Sequence, residues 1–278
     1  MSDPLADKAA GAPVRLRAPP PEGEVSISGR ISLRVSGEVV DFDLEAPAGP
    51  VRLRSLLPIF QGFTDELVSR GVAKAVREGR SISCRAGCGA CCRQPVPVSE
   101  PEAHALAAVV AAMPEPRQAE VRARFAAIER RLEETGLAEG MESWLDGDNA
   151  TVREKGMAYF RLGMPCPFLE AESCSIYPDR PLICREYVVT SPVSACDMPS
   201  PETIDRIDLA GRPSRALLTV GKAATSGGWL LLTQALSFAE RHAEPAADQP
   251  APAQIQTVFA CIAGEVEPGS AEAAKPGA

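Results

Sequence analysis

The stretch Cys84-Arg85-Ala86-Gly87-Cys88-Gly89-Ala90-Cys91-Cys92 brings four cysteines into nine residues. On a continuous helix the four thiols would share one face, and a buried stripe is one interpretation, because free Cys packs as a small hydrophobic residue. Gly87 and Gly89 oppose a helix, since each costs about 1 kcal/mol relative to Ala. We therefore expect an irregular loop in which backbone N–H groups turn toward thiolate sulfurs, as in metal-binding knuckles.

A second group of cysteines lies between residues 166 and 196. Cys166 precedes a proline, and the short polar stretch that follows predicts a tight hairpin bringing Cys166 near Cys174. A turn around residues 178–181 then leads into a short helical segment that carries Cys184. The candidate metal ligands are Cys84, Cys88, Cys91, Cys92, Cys166, Cys174, Cys184 and Cys196. Eight thiolates would supply two tetrahedral sites, or one cluster and a second metal.

Composition narrows the function classes. The net charge of -8 over 278 residues argues against nucleic-acid binding, which needs Lys and Arg along a phosphate backbone. No apolar run approaches the roughly 20 residues that cross a bilayer, and the N-terminus lacks the apolar core of a signal peptide. We therefore expect a cytoplasmic protein with no membrane or nucleic-acid partner, while a protein partner stays open. In a reducing cytosol, clustered thiols favour metal ligation over disulfides.

The expected fold class is α+β and mainly α: an N-terminal β-hairpin, a helical body and an irregular cysteine-rich centre. Composition predicts a disordered tail over residues 1–23 and a mostly disordered acidic tail over 244–278, in which 255–263 could form a brief helix or strand. Alternating apolar residues predict a β-hairpin or small sheet within 24–54. A helical metal-binding domain is expected over 55–243, with its motifs in 80–200.

Helix boundaries are predicted from local signals. Apolar residues at helical spacing predict a helix from Leu56 to about Glu78. Ser99 and Glu102 have the spacing of a capping box, and Gly136 marks the end of a later amphipathic helix. Another helical segment is predicted over 228–242.

Both cysteine groups together resemble the YkgJ-type cysteine-cluster family. These are zinc- or iron-chelating CxxCxxCC proteins, also labelled iron–sulfur-cluster-containing proteins. The resemblance rests on the Cys-x3-Cys-x2-Cys-Cys run, on Cys166-Pro167-Phe168-Leu169, and on the stretch from Cys174 to Arg185, and it covers roughly residues 80–200. It implies that the seven cysteines up to Cys184 chelate metal, with Cys196 a looser match. The first gap differs, with three residues here where the family name implies two.

The resulting functional prediction is a metal-binding protein that holds zinc or an iron–sulfur cluster. An all-cysteine donor set slightly favours iron–sulfur. The alternative is a cluster-dependent enzyme of methyl transfer or redox chemistry, because flagellin lysine methylases are similar in this region. The spacing from Cys84 to Cys91 is also that of radical S-adenosylmethionine enzymes, but the segments after Cys92 predict consecutive helices rather than a strand–helix barrel.

Overall fold

The computed structural model describes residues 14–20, 23–139, 148–197, 199–200, 202–221 and 229–264. Its first layer is a sheet of three strands in the order β1-β3-β2: β1 (Val14–Arg17), β2 (Ser26–Val35) and β3 (Glu38–Pro47). β2 and β3 form the predicted hairpin through Ser36 and Gly37, which have φ angles of 46° and 85°. Positive φ at both turn residues matches the twist of the flanking strands.

Two helices cover the inner face of this sheet, namely α1 (Leu57–Arg77) and α8 (Ala251–Ala263). The Phe42 ring of β3 lies 5.4 Å from that of Phe63 and 5.3 Å from that of Phe259. The first contact is edge-to-face and the second is tilted, and aromatic pairs of this kind add about 0.5–1.5 kcal/mol each beyond the burial of area. The hydrophobic core therefore continues from the hairpin into the helical body.

The remaining helices are α2 (Glu100–Ala111), α3 (Glu115–Glu134), α4 (Asn149–Arg161), α5 (Leu182–Glu186), α6 (Pro213–Val220) and α7 (Ala235–Arg241). Two further pairs of short strands are β4 (Pro97–Ser99) with β7 (Trp229–Leu231), and β5 (Leu169–Glu170) with β6 (Ser173–Cys174). The capping box of Ser99 and Glu102 is confirmed, as is the positive φ of Gly136 after α3. The fold class is α+β and mainly α. No helix in the described ranges is long and apolar enough to cross a membrane.

The structure differs from the prediction over residues 228–242. Gly228 lies outside the described residues, and Trp229–Leu231 is a strand paired with Pro97–Ser99 instead of the first turn of a helix. All three residues of β7 are buried. A short apolar run that is buried on both sides carries no periodicity, so its pairing with a distant segment decides its structure.

Regular elements lie within both segments that were predicted as tails. Val14–Arg17 pairs in parallel with β3, and Leu16 is buried. Ala251–Ala263 is a full helix whose Ile255, Val258 and Phe259 are buried against the sheet. Each segment is ordered by apolar surface contributed by another part of the chain, which local composition does not report. Residues 1–13 and 265–278 lie outside the described residues.

Candidate metal centre

The first cysteine run is an irregular loop, as predicted. Gly87 has a φ of 80° in a turn that is closed by Cys88 N–H donating to Arg85 O at 3.2 Å, and a short 3-10 helix follows over Ala90–Arg93. The loop is attached to the segment after α5, because Ser83 N–H donates to Val189 O at 3.0 Å. Val189 N–H donates in return to Cys84 Sγ at 3.4 Å. A continuous cysteine-bearing helix is therefore excluded.

The two cysteine groups meet directly. Cys166 N–H donates to Cys92 O at 2.7 Å. A Cβ added at Gly89 would lie 2.5 Å from Glu172 Oε2 and 2.8 Å from Leu169 Cδ1, so glycine allows this close approach. Arg93 Nη2 forms an ion pair with Glu172 Oε1 at 2.7 Å across the same junction. The first loop and the β5–β6 hairpin are thus in van der Waals contact.

The predicted hairpin between Cys166 and Cys174 is confirmed, with Leu169 and Cys174 as cross-strand partners. Phe168 and Ile176 anchor it in the core at 1% and 4% exposure. The backbone N–H of Phe168 stabilises the Cys166 thiolate, and that of Ile176 stabilises the Cys174 thiolate. In both cases the donor lies two residues after the cysteine, which is the local arrangement of a metal knuckle.

Helix α5 places Cys184 and is held by buried polar groups. Glu102 Oε1 accepts from Leu182 N–H at 2.8 Å, in addition to its part in the α2 capping box. Arg185 pairs with Asp65 at 2.8 Å and also donates to Pro178 O. These contacts matter because an unpaired buried donor costs about 1–3 kcal/mol. The sequence indicated Glu102 only as a cap, and its second role depends on tertiary contact.

Burial dominates the electrostatics of the thiols. It raises the pKa of Cys166 to about 12 and that of Cys184 well above its ordinary value. It likewise raises the pKa of Cys84, Cys174 and Cys196. The pKa of Cys91 is raised first by its hydrogen bond with Cys92 and second by burial. A neutral thiol is therefore the favoured state without a cation, and metal binding would release protons.

The thiols form two groups according to which of them raise one another's pKa. Burial is the largest cause of the raised pKa of Cys196, and the next causes are Cys84, Cys88 and Cys91. For Cys184 burial is again the largest cause, and the next are Cys166, Cys91 and Cys174. The Cys91 thiol is common to both groups and also acts on Cys84. Cys91 is hydrogen-bonded to Cys92, and it also raises the pKa of five other candidate ligands, namely Cys84, Cys166, Cys174, Cys184 and Cys196.

Two arginines of the second run act on the cysteines: Arg180 acts on three thiols, and Arg185 also lowers the pKa of Cys174. The Arg180 guanidinium opposes the effect of burial, lowering the pKa of Cys84, Cys91 and Cys174. It stacks 3.9 Å from the centre of the Tyr177 ring. Arg180 was not predicted as a charge partner, although the arginine sits in the turn between Cys174 and Cys184.

The donor chemistry fits a soft metal. Thiolates select zinc, copper(I) and iron–sulfur clusters, and N–H donors with a nearby arginine offset the negative charge of several sulfurs. Within the described ranges, however, no three His, Cys, Asp or Glu side chains are arranged so that they could hold one ion. The thiols are gathered, but their side chains do not form a complete coordination sphere.

Two further residues of metal-binding type, His104 and Cys261, lie away from the thiols. His104 is buried with its ring 5.6 Å from that of Phe238. Burial lowers the pKa of His104, and the other groups that act on it are Glu244, Arg54, Glu100 and His242, with no cysteine among them. Cys261 lies in α8 and packs against the core of the N-terminal sheet. Neither residue belongs to the thiol neighbourhood.

Comparison with known proteins adds one finding. Residues 83–203 match the CxxCxxCC family model, described as a "putative zinc- or iron-chelating domain". None of the curated proteins and none of the solved structures gives a significant match. The alternative of a cluster-dependent enzyme gains no support from these comparisons. The segment 83–203, which contains all eight candidate ligands, is therefore similar to the CxxCxxCC family of zinc- or iron-chelating domains.

Proposed function

We propose that this chain is a metal-binding protein whose clustered cysteines hold an iron–sulfur cluster or zinc, with iron–sulfur favoured. The observation that carries the proposal is the convergence of thiols from the 84–92 loop, the β5–β6 hairpin, α5 and the 3-10 helix Val193–Asp197 around Cys91. Thiols distant in sequence need no common neighbourhood for folding. Their shared location is expected where one inorganic centre, or two adjoining ones, must be bound.

The proposed ligands fall into two sets. One set contains Cys166, Cys174 and Cys184, and the other contains Cys84, Cys88 and Cys196. Cys91 and Cys92 are adjacent, and neighbouring side chains project in different directions. We therefore assign one of these two cysteines to each set, which gives four thiolates in each. This division would yield two four-thiolate centres after the side chains rearrange, because no three of the described side chains are arranged to hold one ion as they stand.

Iron–sulfur is favoured over zinc by the donor set. Both histidines of the chain interact with each other near Glu244, and neither acts on the thiols. Structural zinc sites commonly mix Cys and His ligands and need four donors. Cys-only ligation of several sulfurs is the usual arrangement for iron–sulfur clusters. A bound zinc ion would supply positive charge, and an iron–sulfur cluster would also accept or donate electrons. The chain supplies the buried thiolates and Arg180.

The test is metal analysis of protein purified without oxygen. We expect near-stoichiometric iron and sulfide, with broad absorption at roughly 400 nm that dithionite bleaches. Colourless protein with stoichiometric zinc would support the same site with the other metal. A freshly isolated, reduced sample with neither metal would overturn the proposal. Cys261→Ser is the matched control, because Cys261 packs in the N-terminal core and should leave the metal content unchanged.

A further inference from the structure

The outer edge of the N-terminal sheet is long and exposed. β2 has ten residues and lies at the edge, and among the described strands it pairs with β3 alone. Apolar side chains here are partly uncovered, since Val25, just before β2, is 71% exposed and Ile27 is 40% exposed. Such an edge offers a row of free backbone groups to another strand. Natural proteins usually shorten or cover strands of this kind.

The hydrogen-bonding direction of each β2 residue follows from its pairing. Val25 O accepts from Ala48 N–H at 2.8 Å, so Val25 belongs to a hydrogen-bonded pair with β3. Hydrogen-bonded and non-bonded pairs alternate along antiparallel strands. The odd-numbered residues of β2 therefore bond to β3. Ser26, Ser28, Arg30 and Ser32 direct their backbone groups outward, away from the sheet.

Gly29 lies in the middle of this edge, and no contact within the described chain requires a glycine there. A Cβ added there would meet no atom within 4 Å, and its φ is not in the left-handed region. Glycine inside a strand costs about 0.5–1 kcal/mol relative to Ala. A strand glycine often marks a place where another backbone approaches closely. The missing side chain therefore indicates a neighbour outside the described chain.

The residues on either side of Gly29 would pair favourably with the same residues of a second, antiparallel copy. When a second β2 runs antiparallel with Gly29 opposite Gly29, apolar residues meet apolar ones and opposite charges meet. The pairs are Glu24 with Arg34, Val25 with Leu33, Ser26 with Ser32, Ile27 with Ile31, and Ser28 with Arg30. Gly29 then forms a non-hydrogen-bonded pair, in which Cα atoms approach to about 4.5 Å.

We propose that two copies of this chain associate through β2, antiparallel about a two-fold axis at Gly29. Three strands from each copy would form one continuous sheet. Even-numbered residues, whose backbone groups point outward, supply the new hydrogen bonds in this register. A shift of the axis to Arg30 would put two guanidinium groups opposite each other, and like charges in that position are destabilising.

A groove beside the edge favours the same partner. About 380 Å³ of space lies between β2 and α8, lined by Ile27, Ile31, Leu33, Ile255 and Phe259 among others. It is on the inner face of the sheet, because Phe259 also contacts Phe42. Cross-strand partners share a face. The second copy's Ile27, Ile31 and Leu33 would therefore lie next to this groove and cover its apolar lining.

The experiment measures the oligomeric state of the full chain by sedimentation over a range of concentrations. Ser28→Pro removes an outward N–H without breaking a bond to β3, so we expect a monomer that unfolds at nearly the wild-type temperature. Arg34→Glu places a carboxylate opposite Glu24 of the other copy, and the two-fold axis repeats this repulsion at a second position in the dimer. It should raise the dimer dissociation constant on the order of tenfold or more.

A charge exchange tests the register itself. Glu24→Arg should weaken the dimer as Arg34→Glu does, and the double variant Glu24→Arg/Arg34→Glu should restore it. Arg77→Glu, a matched charge reversal on an exposed residue of α1, should have no effect. A monomeric wild type at all concentrations, or a dimer insensitive to Ser28→Pro, would overturn the proposal. A double variant no better than its parents would exclude this register.

Discussion

Replacement of Gly89 by Ala tests whether the two cysteine groups meet as closely as the structure places them. Gly89 has a φ of -96°, a conformation that Ala also adopts, so backbone strain does not contribute. The added Cβ would lie 2.5 Å from Glu172 Oε2, 2.8 Å from Leu169 Cδ1 and 3.3 Å from Glu172 Cα. The first two distances are shorter than Cβ contacts allow. The Leu169 side chain and the Glu172 carboxylate, which is paired with Arg93, must therefore move, and the loop and the hairpin must yield by a few tenths of an ångström at Glu172 Cα.

The expected size follows from two opposing terms. Inserting a methyl group into a closely packed contact costs about 1–3 kcal/mol. Replacing glycine restricts the unfolded chain and returns roughly 0.4–1 kcal/mol. We expect the free energy of unfolding to fall by about 1–2 kcal/mol, a decrease of about 2–4 °C in melting temperature per kcal/mol for a domain of this kind. Metal content should fall as well, because Cys92 O bonds to Cys166 N–H at this junction.

The assay is denaturant unfolding combined with metal analysis of the same preparation. Gly156→Ala is the control, since Gly156 lies within α4 and its nearest atom would be 3.9 Å from the new Cβ. That variant should be more stable than wild type by roughly 0.5–1 kcal/mol. Adding Glu172→Ala to Gly89→Ala should recover part of the loss, a non-additive result. If Gly89→Ala kept wild-type stability and metal content, the close packing of the two runs would be refuted.

Three further predictions follow from the site. Cys174→Ser should lose metal and melting temperature together, because binding couples to folding; full metal content would remove Cys174 from the ligands. Arg180→Met should lower metal affinity about 10–100-fold in competition with a chelator, as expected for groups around the ligands; an unchanged affinity would show that its charge is irrelevant. Glu102→Ala should lower the free energy of unfolding in urea by about 1–3 kcal/mol for each orphaned N–H of Ser99 and Leu182, whereas exposed Glu115→Ala should change little.

Sequence patterns predicted those parts of the fold that form through interactions between residues close together in the chain. The β2–β3 hairpin follows from residue alternation and a Ser-Gly turn, and the start of α2 follows from the capping box. The hairpin between Cys166 and Cys174 depends on nearby residues as well. Val14–Arg17 and Trp229–Leu231 were not predicted as strands. Their hydrogen-bond partners come from segments distant in the chain, and no short window of sequence contains both.

The amino-acid sequence alone predicted a cysteine-based centre, because thiols and glycines at this spacing suit metal ligation better than helix packing. Only the tertiary structure decided that the two groups of thiols share Cys91 as a neighbour and that Arg180 acts on thiols of both groups. The reason is that burial and charge interactions depend on distance in space. Folding brings together groups whose separation along the chain carries no information about that distance.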